Sequence, residues 1–299
     1  MAGLRPRLRT SALAFGAVFR NPSLRWLELA WTASIVGHWA YLVAVSVYAY
    51  EQGGERAVGL VFLLRLVPAA IISPFAGLLA DRYPRHRVLL ATNAARIGFV
   101  GAAAACVLAE TRPEFVYGLA IGAAIVTTPF RSAQAALTPA LARSPEELTA
   151  ANAVASGVES LAVFAGPALA GLVLAATDTG IAFLVTAALL VVSSVFLLLV
   201  KPEQADAPRR EIETGTIASE ALAGFRAIGR DSSLRVLMVL LTAQTAVAGA
   251  VQVFIVVAAI DLLDLGTGGV GYLNSAIGAG ALVGAVLSLS LAGARRLSP

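Results

Sequence analysis

Residues 77–87 read Gly77-Leu78-Leu79-Ala80-Asp81-Arg82-Tyr83-Pro84-Arg85-His86-Arg87. Asp81, Arg82, Arg85 and Arg87 crowd into this short stretch, with His86 among them. On either side charge almost vanishes: residues 58–80 carry only Arg65, and residues 88–108 only Arg96. Each flank reaches the roughly 20 apolar residues that cross a hydrocarbon core. Neither alternates with period two, so each reads as a helix and not as a barrel strand. A charged turn between two such runs is a water-exposed link between two membrane-crossing helices.

Composition extends this reading to the whole chain. Of 299 residues, 58% are apolar and 13% charged, against about 25% charged in an ordinary soluble domain. Mean hydropathy is +0.81. Apolar runs recur at residues 27–50, 58–80, 88–108, 115–142, 154–176, 181–200, 234–260 and 270–294. The expectation is an all-α, polytopic membrane helical bundle. It divides into a lead-in (1–23), a six-helix bundle (24–200), a linker with an amphipathic helix (201–233) and a partial second bundle of two helices (234–299).

Several chemistries are excluded. The one cysteine, Cys106, cannot form an intrachain disulfide. His38 and His86 have no Cys or acidic pair at metal-ligand spacing, so no metal site is expected. The one lysine, Lys201, precedes proline, so there is no phosphate-binding loop ending in Gly-Lys-Ser/Thr. No serine or carboxylate pair lies near a histidine in its own span, which argues against an intramembrane hydrolase and against an enzyme generally. No cofactor is expected.

With the N-terminus inside, 17 of the 22 basic residues fall on cytoplasmic segments, while Glu51, Glu55, Glu110, Glu114, Asp178, Asp261 and Asp264 lie outside. The positive-inside rule therefore assigns a multi-pass protein with a cytoplasmic N-terminus, expected in a bacterial plasma membrane. The pI near 9.6 then reports topology and contact with anionic lipid headgroups, not nucleic-acid binding.

Two stretches repeat. Asn21-Pro-Ser-Leu-Arg25 before the first span is echoed by Asp231-Ser-Ser-Leu-Arg235 before the seventh, and Gly54, Val58 and Gly59 by Gly266, Val270 and Gly271. Equal repeats would need about four more spans than the 299 residues hold. A fragment is therefore expected, one complete six-helix half plus the first two helices of its partner. A missing C-terminal half would be its partner.

The 77–87 stretch resembles the cytoplasmic loop motif of the major facilitator superfamily, Gly-x-x-x-Asp-Arg/Lys-x-Gly-Arg-Arg/Lys-Arg/Lys, with Pro84 in place of the second glycine and His86 in place of a basic residue. The resemblance implies a conformational switch built on Gly77, Asp81, Arg82, Arg85 and Arg87. Asp81 ends a helix, where the dipole disfavours an anion, so it needs a cationic partner. In the family that Asp latches onto the eleventh helix, which lies beyond the eight spans expected here. His86 could vary the loop charge near neutral pH; an exposed spectator is the simpler reading.

Arg131-Ser-Ala-Gln134-Ala135 resembles the family's fourth-helix motif Arg-x-x-Gln-Gly. Arg131 lies about 16 Å from the inner end, where a guanidinium needs a cavity or an acid. Glu159 enters at comparable depth from the next span, so an Arg131–Glu159 pair in a water-accessible cavity is expected, with separate hydration as the alternative. Arg65 and Arg96, about 10–12 Å from a span end, are read as snorkelling structural residues. His38 and Glu28 are weaker candidates for titration. Gly166-Pro167 with Gly171 resembles part of the fifth-helix motif of drug-exporting antiporters, where it permits a bend and close packing. The resulting expectation is proton-coupled efflux of a small drug- or siderophore-like molecule by alternating access. Arg131, Gln134, Glu159 and His38 would form the coupling site and cavity. The alternative is a truncated, non-transporting fragment or scaffold.

Overall fold

A computed structural model describes residues 18–201 and 229–291, together with Gly16 and Arg226; the side chains of residues 74–82 and 285–291 lie outside that description. The expected lead-in and amphipathic linker fall largely outside it. Within it the chain is all-α, as expected for a helical membrane bundle. The helices are α1 Pro22–Arg82, α2 Arg85–Leu108, α3 Pro113–Leu141, α4 Pro145–Ala176, α5 Thr179–Leu198, α6 Ser232–Val257 and α7 Gly266–Leu291. A π-helical turn, Ala258–Leu262, follows α6.

Sequence chemistry sets these boundaries. α1, α3 and α4 begin on Pro22, Pro113 and Pro145, where a missing N–H is harmless and φ is already helical. Ser144 Oγ accepts from Glu147 N–H, and the Glu147 carboxylate reaches back to the N–H of Arg143. Asp178 caps α5 by accepting from Ile181 N–H at 2.9 Å. α1 is two spans in one element. Gly53 and Gly54 leave helical geometry, with Gly54 at φ 63°, and fold the second arm back along the first. Six elements among the described residues are long and apolar enough to cross a membrane, and the first of them, Pro22–Ser73, contains this fold. α7, the eighth span in sequence order, is not among the six.

The repeat has a structural counterpart. Asn21 Oδ1 accepts from Ser23 and Leu24 N–H, and Asp231 Oδ1 accepts from Ser233 and Leu234 N–H in the same pattern. Gly266, the counterpart of Gly54, has φ 65°. Val58 and Val270, four residues after each glycine, are both buried.

The bundle has two distinct ends. The acidic end carries Glu51, Glu114, Asp178 and Asp261; the basic end carries Arg25, Arg85, Arg87 and Arg143. The first arm of α1 is the central element, packed on α3, α4 and α5, while α2 packs on α3 and α5. Two apolar cores follow. Near the basic end, Leu24, Leu27, Leu89, Leu137 and Leu197 make a core drawn from the first bundle alone. Near the acidic end, Val43, Val47, Val100 and Phe183 form a core that also takes in Ile255, Val256, Ala259 and Val270. The α6–α7 hairpin therefore docks at the acidic end. The part of α6 nearest the basic end, including Val236, Val239 and Leu240, is exposed.

Docking rests on small residues. α4 and α7 form the closest helix pair between the hairpin and the first bundle. A Cβ on Gly171 would meet Gly268 O at 2.9 Å and Gly271 Cα at 3.1 Å, and one on Gly278 would meet Val163 O at 2.6 Å. On another side of α4, a Cβ on Gly166 would lie 2.8 Å from the Val36 carbonyl. Lipid supplies no hydrophobic drive between helices, so close backbone approach is what holds such pairs together. Thr267 and Ser275 add hydrogen bonds from α7 to the Leu174 and Phe164 carbonyls of α4.

Candidate functional site

A cavity of about 310 Å³ lies between both arms of α1, α2, α3, α5 and α6. Its polar lining comes from His38, Tyr41, Arg65, Arg96, Thr127 and Thr186. Leu42, Phe62, Leu66, Val100 and Leu190 make most of the rest. α6 contributes Thr245 and Ala248, so the wall includes both the first bundle and the hairpin.

Arg65 and Arg96 are the chemistry-bearing groups, and the snorkelling reading of them is incorrect. They are 7% and 5% exposed and turn into the bundle instead of along its surface. Distance to the nearest span end measures reach, but it does not say which face of the helix a side chain leaves from. Arg96 is held by a relay: its Nη1 donates to Ser34 Oγ at 2.7 Å and to Asn93 Oδ1 at 3.4 Å. Asn93 Nδ2 donates to Ser193 Oγ, which donates to the Ala30 carbonyl. That relay joins α1, α2 and α5 behind the guanidinium. Phe130 closes the other side, its ring 5.6 Å from Arg96 Cζ. Arg65 Cζ lies 5.1 Å from the Tyr41 ring, a cation–π contact. Arg65 Nε and Tyr41 OH are buried without partners among the described residues.

The expected site residues are not one cluster. His38 lines the cavity. Arg131 and Glu159 meet outside its lining, with Nη1–Oε1 at 2.8 Å and Nη2–Oε2 at 3.2 Å, a two-bond pair between α3 and α4. It is the one ion pair among the described residues, with side chains 70% and 35% exposed. Gln134 is buried although Arg131 is not, so the two share a helix side without sharing an environment. Glu28 is 2% exposed, and neither carboxylate oxygen has a partner among the described residues.

In the charged turn, Arg85 Nη1 donates to the Ala136 carbonyl at 3.0 Å, and His86 Nε2 bonds the Leu197 carbonyl at 2.7 Å. His86 is thus half-buried and tied to the end of α5, which corrects the reading of it as an exposed spectator. Its neighbour Arg87 is exposed. The side chains of Gly77, Asp81 and Arg82 lie outside the described residues. Gly166 and Gly171 supply close packing on α1 and α7, and α4 runs through Pro167 from Pro145 to Ala176.

At the acidic end, Tyr50 OH donates to the carboxylate of Asp261 in the π-turn. Single π-turns in helices are frequent at functional sites. No local pattern announces this bond, which joins residues 211 positions apart.

A helical bundle whose mainly apolar cavity, carrying two buried arginines, is shared by two units joined at one end has the form of a membrane transporter. A family model described as the Major Facilitator Superfamily matches residues 27–299. The chain belongs to that family. A search of curated proteins finds no match.

Proposed function

We propose that the chain acts as a secondary active transporter that exports a small molecule in exchange for protons, working by alternating access with its basic end in the cytoplasm. The observation that carries this reading is the shared cavity wall: α6 contributes Thr245 and Ala248 to a space otherwise lined by the first bundle. Rocking of the hairpin against that bundle would change which side reaches the space. In the described arrangement the acidic end is the joined one, through the Tyr50–Asp261 bond and the α4–α7 seam.

Proton coupling is assigned to Glu159, Arg131 and Glu28. Protonating Glu159 removes the charge that holds Arg131 and frees α3 from α4. Glu28, enclosed without a partner among the described residues, is a second carboxylate whose charge would alter the basic-end core. Export rather than uptake is supported by the partial Gly166-Pro167 and Gly171 motif. The charged turn is assigned the switch, since Arg85 and His86 tie it to α3 and α5.

Accessibility tests alternating access without a known substrate. In a Cys106→Ser background, Thr245→Cys should react with a membrane-impermeant thiol reagent from either side of the membrane. Reaction from one side only would remove alternating access from consideration.

A further inference from the structure

We infer that the cavity takes an organic anion with an apolar body, its acidic group bound by Arg65 and Arg96. This deepens the transport reading and rests on it for the claim that the ligand is carried across. The argument begins with depth. Arg65 lies ten residues into the second arm of α1 and Arg96 eleven into α2. At about 1.5 Å per residue, each sits roughly 15–17 Å from the start of its own helix, and about 10–12 Å inside the apolar span of a hydrocarbon core about 30 Å thick. The two enter from opposite ends and line the same cavity.

A guanidinium at that depth is costly and faces a water-filled cavity, a counter-ion or both. The described lining contains no carboxylate, and the one ion pair among the described residues lies elsewhere. Neutral contacts hold the two cations in place, Ser34 and Asn93 at Arg96 and the Tyr41 ring at Arg65, and leave the positive charge uncancelled. A cationic ligand would meet repulsion from both groups at low dielectric. An uncharged apolar ligand would leave Arg65 Nε and Tyr41 OH unpaired in a dry site. An oxyanion satisfies both guanidinium groups, which are built for two-pronged contact with carboxylate or phosphate.

The remaining wall sets the rest of the ligand. Leu42, Phe62, Leu66, Val100 and Leu190 favour an aromatic or aliphatic body. A cavity of about 310 Å³ is at the small end of small-molecule sites, which run from about 300 Å³ upward.

Three isosteric probes separate charge from shape: 1-naphthoate, 1-naphthamide and 1-naphthylmethylammonium, titrated against the full chain in detergent by equilibrium dialysis. The naphthoate should bind at least tenfold more tightly than the other two. Arg65→Gln should remove that preference, and Arg65→Lys should keep part of it. Ala124→Glu, which places a carboxylate in the cavity wall, should block naphthoate and leave the bundle folded by thermal melting. Equal binding of the three probes, preference for the ammonium, no naphthoate binding by folded protein, or full naphthoate preference in Arg65→Gln would each overturn the inference. Binding is read without transport. Anion preference with one-sided Thr245→Cys labelling would therefore sink the transport reading alone, and two-sided labelling without anion preference would sink the substrate class alone.

Discussion

Gly54 and Gly266, 212 positions apart, share a positive φ, 63° and 65°, each four residues ahead of a buried valine. A side chain held at such a positive φ is strained, at a cost of about 1–3 kcal/mol. Gly54→Ala and Gly266→Ala should each lower stability in detergent by about that much. Thermal and denaturant midpoints would show it, and at Gly54, whose ψ of −158° lies in a region that essentially only glycine occupies, Asn should cost about as much as Ala. Unchanged midpoints in both Ala variants would mean that the two turns are not under this constraint.

The Arg131–Glu159 pair is too exposed for its loss to unfold the bundle. Arg131→Ala and Glu159→Gln should shift stability by less than about 1 kcal/mol. Proton-driven efflux should nevertheless be lost in both. The swapped double variant Arg131→Glu with Glu159→Arg should restore part of the activity that either single change removes. A swap that performs no better than the single variants would refute the pairing as the coupling element.

Tyr50→Phe deletes the hydroxyl that reaches Asp261 and leaves the ring in place. Loosening the joined end should raise the labelling rate of Thr245→Cys from the acidic side severalfold, with the basic-side rate equal or lower. A rate that does not change from the acidic side would show that the bond does not restrain that end.

Glu28 should trade stability for function. Replacing an enclosed carboxylate that has no partner among the described residues with a neutral group of similar shape removes a desolvation penalty, as buried ionic groups replaced by apolar ones often show. Glu28→Gln and Glu28→Leu should melt at or above the wild-type temperature while losing proton coupling. Destabilisation by about 2 kcal/mol or more would point to a hydrogen-bonded role in the basic-end core.

Features carried by neighbouring residues are legible in the sequence alone. Turn prolines, capping Asn, Asp and Ser, and long uncharged runs locate the helices, because each acts within one turn of itself. The Arg131–Glu159 contact is legible for a related reason: two opposite charges at matched depth on consecutive antiparallel helices have few other places to go. Arg65 and Arg96 are misleading in the sequence because depth is a one-dimensional quantity, and the direction of a side chain around its helix depends on neighbours far off in the chain. The relay behind Arg96 draws on Ala30, Ser34, Asn93 and Ser193, from three helices. Tyr50 and Asp261 each look like ordinary residues at a membrane edge, and only docking of the hairpin gives either a partner.

The α4–α7 seam has a mechanical consequence. Where Gly171 faces Gly268 and Gly271, two backbones touch with no side chains between them. Interlocked side chains must pass over one another, rotamer by rotamer, before one helix can slip along another. This seam has few such teeth, chiefly Ala175 and the Thr267 and Ser275 hydrogen bonds, so a small tilt of α7 on α4 would meet little side-chain interlock. With a lever about 30 Å long, each degree of tilt at the seam moves the far end of the hairpin by roughly half an ångström. The smallest residues in the chain would thus set the gearing of the proposed rocking.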